Sequence, residues 1–290
     1  MSRYARDLSY AYGMKTPLGR GVVRGIENLT GRLTIIRRAR GYDRDIASGS
    51  NFYAALFGRM GLTFAAGGAG PKGIPREGPL VMVANHPFGV LDGFSLARLL
   101  HDHRAPIDGG PGFRVLAHEV FARAPDIRDT ILPIDFSEKP EAARRNIETR
   151  KEALSFLARG GAVGIFPGGT VSTPLTPFGV AMDPEWRRFT AKMVARSGAS
   201  VLPVFFEGAN SRAFHLASHI STGLRLGLLL HEFRKQLDRP IRVHIGKVIP
   251  PEALAPFVAQ PKSMMDFLRE QTYGLSPQPL DWQILGKDFG

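Results

Sequence analysis

The 290-residue chain contains no cysteine. That absence excludes a disulfide scaffold, a thiolate nucleophile and any cysteine metal site. No uninterrupted apolar run approaches the ~20 residues that a membrane-crossing helix needs. The start, Met1-Ser2-Arg3-Tyr4-Ala5-Arg6-Asp7, lacks the apolar centre of a secretory signal. The expectation is a cytoplasmic protein that touches a membrane without crossing it. Acidic residues are scarce beside basic ones: 26 Asp and Glu against 38 Lys and Arg give a net charge of +12. Such an excess points to an anionic partner, either nucleic acid, an anionic membrane face or an acidic carrier protein. No pattern of basic residues interleaved with base-stacking aromatics is present, which argues against nucleic acid. Gly49-Ser50 and Gly198 are stray pieces of a serine-hydrolase elbow in the wrong context.

What remains is enough apolar material, 43% of residues, for a sizeable core in one large domain or a domain with a helical extension. Residues 1–70 are expected to form a basic helical region. Gly31-Arg32-Leu33-Thr34-Ile35-Ile36-Arg37-Arg38 and the aromatic stretch Asn51–Leu62 fit amphipathic helices lying on a membrane, or equally a helical cap on the core. Gly67-Gly68-Ala69-Gly70-Pro71-Lys72-Gly73 reads as a linker. From residue 71 to 290, apolar runs alternate with helical patterns. Strands are expected at 80–84, 114–117, 130–134, 161–166, 200–206 and 241–245. Helices are expected at 94–101, 141–157, 184–196, 211–217 and 224–236. The class is α/β, with a mostly parallel or mixed sheet flanked by helices and an N-terminal basic helical extension. Pro203 within its run suggests an edge strand or a bulge.

Three blocks carry chemistry. Asn85-His86-Pro87-Phe88-Gly89-Val90-Leu91-Asp92 follows a strand and opens a helix, placing an imidazole near a carboxylate that can orient it as a general base. A surface histidine with Asp92 favoured by the helix dipole is the alternative. Phe166-Pro167-Gly168-Gly169-Thr170 follows a second strand; its glycine N–H groups suit an oxyanion, or the segment is an ordinary Pro-Gly turn. Asn210-Ser211-Arg212 ends a third strand and also suits a helix cap. His215 and His219 stand four apart, more in keeping with an amphipathic helix than with a metal site.

In order and spacing, the blocks over roughly residues 79–212 resemble the glycerolipid acyltransferase superfamily, which includes the 1-acyl-glycerol-3-phosphate acyltransferases. Ala84-Asn85-His86-Pro87, Leu132-Pro133-Ile134-Asp135-Phe136 and Pro203-Val204-Phe205-Phe206 resemble more closely the bacterial branch that O-acylates lyso-ornithine lipids and other lyso-aminolipids. The resemblance implies acyl transfer from an acyl-carrier-protein or CoA thioester to a lipid hydroxyl, with His86 and Asp92 catalytic. Asn85, Phe88, Gly89, Phe166, Pro167, Gly168, Gly169, Thr170, Asn210 and Arg212 would then bind substrate, with Arg212 reaching the acceptor's carboxylate or forming a surface ion pair. No metal or cofactor beyond the acyl donor is expected. The implied partners are an anionic membrane surface, the acyl carrier and a lyso-lipid, with peripheral attachment to the inner face of the cell membrane. Phe88, Phe94 and Phe178 are candidates to close an acyl-chain tunnel.

The sequence departs from the family pattern in three places. His86 and Asp92 are one residue further apart than the His-x4-Asp pattern, so the turn must bulge. Gly168 stands where the second block has Glu, and Val171 where it has Arg. The charges suited to an acceptor phosphate are therefore missing from that block, which disfavours lysophosphatidate. The alternatives are a lysophosphatidate acyltransferase and a non-enzymatic basic membrane- or nucleic-acid-binding protein.

Overall fold

The computed structural model describes residues 9, 11, 14, 16–135 and 140–289. Phe136, quoted above, lies outside them. Seven strands form one sheet: β1 (Thr63–Gly68), β2 (Leu80–Ala84), β3 (Phe113–His118), β4 (Ile131–Ile134), β5 (Ala162–Ile165), β6 (Ser200–Phe206) and β7 (Pro240–Ile245). Their order is β1-β7-β6-β2-β5-β3-β4, and every pairing is parallel except β6 with β7. β2 is buried along its whole length, Leu80-Val81-Met82-Val83-Ala84, as a strand covered by helices on both faces requires. The expected α/β class and mixed sheet are observed.

The helices are α1 (Pro17–Glu27), α2 (Leu33–Arg38), α3 (Tyr42–Ala47), α4 (Phe52–Met60), α5 (Val90–His103), α6 (Pro140–Ala158), α7 (Phe189–Ser197), α8 (Arg212–Ile220), α9 (Thr222–Lys235), α10 (Pro251–Leu254) and α11 (Pro261–Tyr273). One core lies on each face of the sheet. Met82, Leu96, Leu100, Phe113 and Phe206 pack on one side; Val81, Val163, Phe156, Leu157 and Val201 pack on the other.

The N-terminal helices belong to the first core, which takes in Ile35, Tyr53, Phe57 and Met60. α1, a π-type turn at Asn28–Arg32 and α2 make one rod laid along α9. Gly31 is why they approach so closely: a Cβ there would meet the Leu230 carbonyl at 2.4 Å. The other side of the rod stays open, with Leu18, Val22, Leu29 and Leu33 exposed at helical spacing.

Three expectations need correction. Residues 63–68 are an edge strand paired with β7, so Gly67 and Gly68 of the expected linker at 67–73 belong to the sheet. The helix expected from Pro184 starts at Phe189, because Arg269 takes the Pro184 carbonyl (2.8 Å) and Asp183 takes the Trp186 indole N–H (2.9 Å). Pro203 sits in a central strand rather than at an edge. Its carbonyl accepts Gly246 N–H at 2.9 Å, where the chain leaves β7 before rejoining β6 at Val201–Ile249. The missing N–H therefore faces an interruption in the ladder, the bulge-like half of the expectation.

Candidate active site

β2 and β5 run side by side in parallel, so the two blocks that follow them leave the sheet at the same edge. This is where parallel sheets present ligand-binding turns. His86 stands two residues beyond β2 and Asp92 in the first turn of α5. The extra residue between them is absorbed at Gly89, whose φ of +82° and ψ of −117° suit only glycine. A Cβ there would also press on Val171 Cγ2 at 3.1 Å.

The two side chains meet: His86 Nδ1 lies 3.1 Å from Asp92 Oδ2. The contact is close but not aligned as a hydrogen bond. Oδ2 instead accepts the backbone N–H of Phe88 (2.7 Å) and Gly89 (2.9 Å). Asp92 is sealed from solvent, and that burial pushes its carboxyl up against the opposing pull of His86 and the two N–H groups. His86 Nε2 makes no hydrogen bond among the described residues and is not sealed, so the ring turns its second nitrogen outward. The Phe166 ring stacks on the imidazole, centroids 4.1 Å apart and planes at 25°.

A residue not anticipated from the sequence holds this turn. Asp183, fully buried, accepts the His86 backbone N–H at 3.1 Å and the Ser172 hydroxyl through Oδ1, and Trp186 Nε1 through Oδ2. Ser172 N–H returns to the His86 carbonyl at 2.8 Å, so the His86 peptide is fixed at both ends. Asp183 lies beside Gly168, where a Cβ would meet its own Cβ at 3.1 Å. From the opposite side Arg225 of α9 reaches Thr173 Oγ1 (2.7 Å), Ser218 Oγ (3.1 Å), Thr170 Oγ1 (3.1 Å) and the Val171 carbonyl (3.0 Å). Burial pulls this guanidinium down to about 10. The segment 168–173 is thus gripped between a buried anion and a buried cation.

The other expected binding residues divide. The Asn85 amide is taken up by Phe206 O (2.9 Å) and Phe206 N (2.7 Å), tying β2 to the end of β6. Gly169 is no oxyanion donor, because its N–H bonds Phe166 O at 3.0 Å, whereas Gly168 N–H has no partner among the described residues. Pro167 receives Arg187 N–H at 3.0 Å. Phe88 is buried against the Gly208 backbone, and Asn210 is buried with both amide atoms unpaired among the described residues. Arg212 is exposed at the start of α8. Of the tunnel candidates, Phe94 packs against Phe52 and Phe121, while Phe178 is open to solvent and closes nothing.

A family model described as Acyltransferase matches residues 69–207, a span that holds His86, Asp92, Asp183 and the 166–173 segment. A lyso-glycine lipid O-acyltransferase of Phocaeicola vulgatus is 26% identical over 187 residues, 62% of this chain and 63% of that protein. A protein of the same description from Bacteroides thetaiotaomicron is 24% identical over 231 residues, 76% of this chain and 72% of that protein. The match thus spans less than two thirds of the first relative's length. Among solved structures, the 1-acyl-sn-glycerophosphate (LPA) acyltransferase PlsC from Thermotoga maritima aligns with a TM-score of 0.47 and 16% identity, over 93% of this chain and 87% of that one. Residues 69–207, which bring the imidazole, its carboxylate and the glycine turn together, are thus the span that matches the Acyltransferase family model, and the relatives above are lipid O-acyltransferases.

Proposed function

We propose that this protein transfers a fatty acyl chain from an acyl-carrier-protein or CoA thioester to the hydroxyl of a lyso-aminolipid. The observation that carries the reading is the His86–Asp92 pair at 3.1 Å, with Nε2 turned outward. The Asp92 carboxylate favours the proton on Nδ1 and leaves Nε2 as the base. Nε2 takes the acceptor hydroxyl proton while the oxygen attacks the thioester carbonyl. The oxyanion forms near Gly168 N–H. Collapse breaks the C–S bond, and imidazolium returns the proton to the departing thiolate, giving an ester and a free thiol. With no cysteine in the chain, direct transfer is favoured over an acyl-cysteine intermediate.

The lyso-aminolipid acceptor is supported by the names of the relatives, which are lyso-glycine lipid O-acyltransferases. The chain's basic excess suits the inner, anionic face of the cell membrane and an acidic carrier. A mass-resolved assay with purified protein, acyl-carrier thioester and a panel of lyso-lipids tests all of this. Acylation of a lyso-aminolipid is expected, reduced by about 10²–10⁴-fold in His86→Ala. Preference for lysophosphatidate would overturn the acceptor; full activity in His86→Ala would overturn the mechanism.

A further inference from the structure

Residues 174–181 leave the candidate site as a closed loop. Thr173 N–H joins Met182 O at its base and Gly179 N–H joins Thr176 O near its tip, both at 3.0 Å. The residues flanking that base, Ser172 and Asp183, are the ones that fix the His86 peptide. No residue from 174 to 181 is charged, and Leu175, Phe178 and Val180 all face solvent, Phe178 with 85% of its surface open. A phenylalanine held open on a pinned loop gains nothing from folding, and contiguous apolar surface of this kind marks a contact site.

The loop does not stand alone. His219 Nε2 lies 3.1 Å from Pro174 O, bringing the end of α8 against it, and the next residue, Ile220, is 76% exposed. Met14 lies against both Gly19 of α1 and Gly223 of α9, so the open stripe of the N-terminal rod begins at the same junction. The loop follows β5 and α8 follows β6, and both strands end at the edge where His86 stands. An apolar rim therefore borders the site.

Its surroundings are cationic. The rod from 17 to 38 carries five arginines against one glutamate, Glu27, which is buried on Ser9. Lys287 Nζ lies 3.4 Å from His219 Nδ1 at the foot of the loop. Apolar tips set among cations complement an anionic bilayer, with tips below the headgroups and cations level with them.

We propose that Leu175, Phe178 and Val180, with Ile220, enter the lipid surface beside the site and seat the His86 face of the molecule on an anionic bilayer. The purpose rests on the acyl-transfer reading, since a seated site receives a lipid acceptor without carrying its chain through water. The binding itself does not depend on transfer.

The test uses the full chain and mixed phosphatidylcholine–phosphatidylglycerol vesicles. Leu175→Asp combined with Phe178→Asp should weaken co-sedimentation about tenfold or more. Transfer to a vesicle-borne acceptor should fall with it, while transfer to a short-chain acceptor dispersed in water stays at the parent level. Unchanged co-sedimentation overturns the proposal. Should the aspartates disturb the loop, Phe178→Trp answers independently. Its fluorescence should be quenched by brominated-chain lipids beyond the signal of Trp186 and Trp282, and no added quenching overturns the proposal. A dimer that Phe178→Asp dissociates would assign the rim to a second copy and also overturn it. Absence of transfer by the parent protein, with the Phe178→Trp signal still quenched, would remove the functional reading and leave the seating intact.

Discussion

At Asp92 the proposed chemistry and the stability of the fold pull in opposite directions. Burial holds its carboxyl above the ordinary carboxylate range. A carboxyl raised in the folded state weakens that state as pH climbs from the unfolded pKa through the folded one, because the unfolded chain gives up the proton more readily. Asp92→Asn should therefore keep or raise the melting temperature at neutral pH, and the difference should vanish below about pH 3. Acyl transfer should fall at least ~100-fold in the same variant. Thermal unfolding at both pH values, beside the transfer assay, checks the pair of outcomes. Lower stability at neutral pH would mean that the ionised carboxylate holds the turn together. The sequence made His86 and Asp92 legible because residue type and spacing advertise that chemistry. It could not tell Asn85 from a ligand-binding residue, since an amide that bonds Phe206 across two strands reads the same as one that faces substrate.

At the scale of elements, the strands most visible in the sequence were the buried ones, whose apolar runs cannot be mistaken for turns. β1 was missed because Thr63-Phe64-Ala65-Ala66-Gly67-Gly68 sits at the edge, mostly exposed, with glycines that mimic a linker. Asp183 and Arg225 were missed for a related reason. Met182-Asp183-Pro184 reads as a turn and Arg225 as the polar face of a helix, and only the fold brings both onto residues 168–173. Asp183 takes three donors on an acceptor-only group: His86 N–H, the Ser172 hydroxyl and the Trp186 indole. Asp183→Asn offers one oxygen and two donors in the same space, so at least one of the three must face another donor. The expected cost is about 1–3 kcal/mol in denaturant unfolding, together with a lower kcat at nearly unchanged KM. A change confined to KM would move Asp183 from holding the histidine to holding the acceptor.

For the molecule as a whole, the charge of +12 and the apolar rim separate under salt. The Debye length shortens from about 10 Å at 0.1 M to about 3 Å at 1 M, so attraction of arginines to anionic vesicles should weaken several-fold over that range. Contributions from Phe178 and Leu175 should persist. Co-sedimentation across salt, with and without Phe178→Asp, measures the two parts; equal loss of both would tie the rim to charge alone.

The pairing of Gly286 N–H with the Asp183 carbonyl (2.8 Å) and of Lys287 N–H with the Thr173 carbonyl (2.9 Å) sets an order in time. The segment that braces the His86 turn is itself braced by residues made about two hundred positions after His86. A ribosome-bound chain that stops before residue 286 carries an imidazole and a carboxylate without their final support. Contacts so distant in sequence also slow folding. Competence for transfer should therefore arrive only once residues 286 and 287 have been made and docked on Asp183 and Thr173.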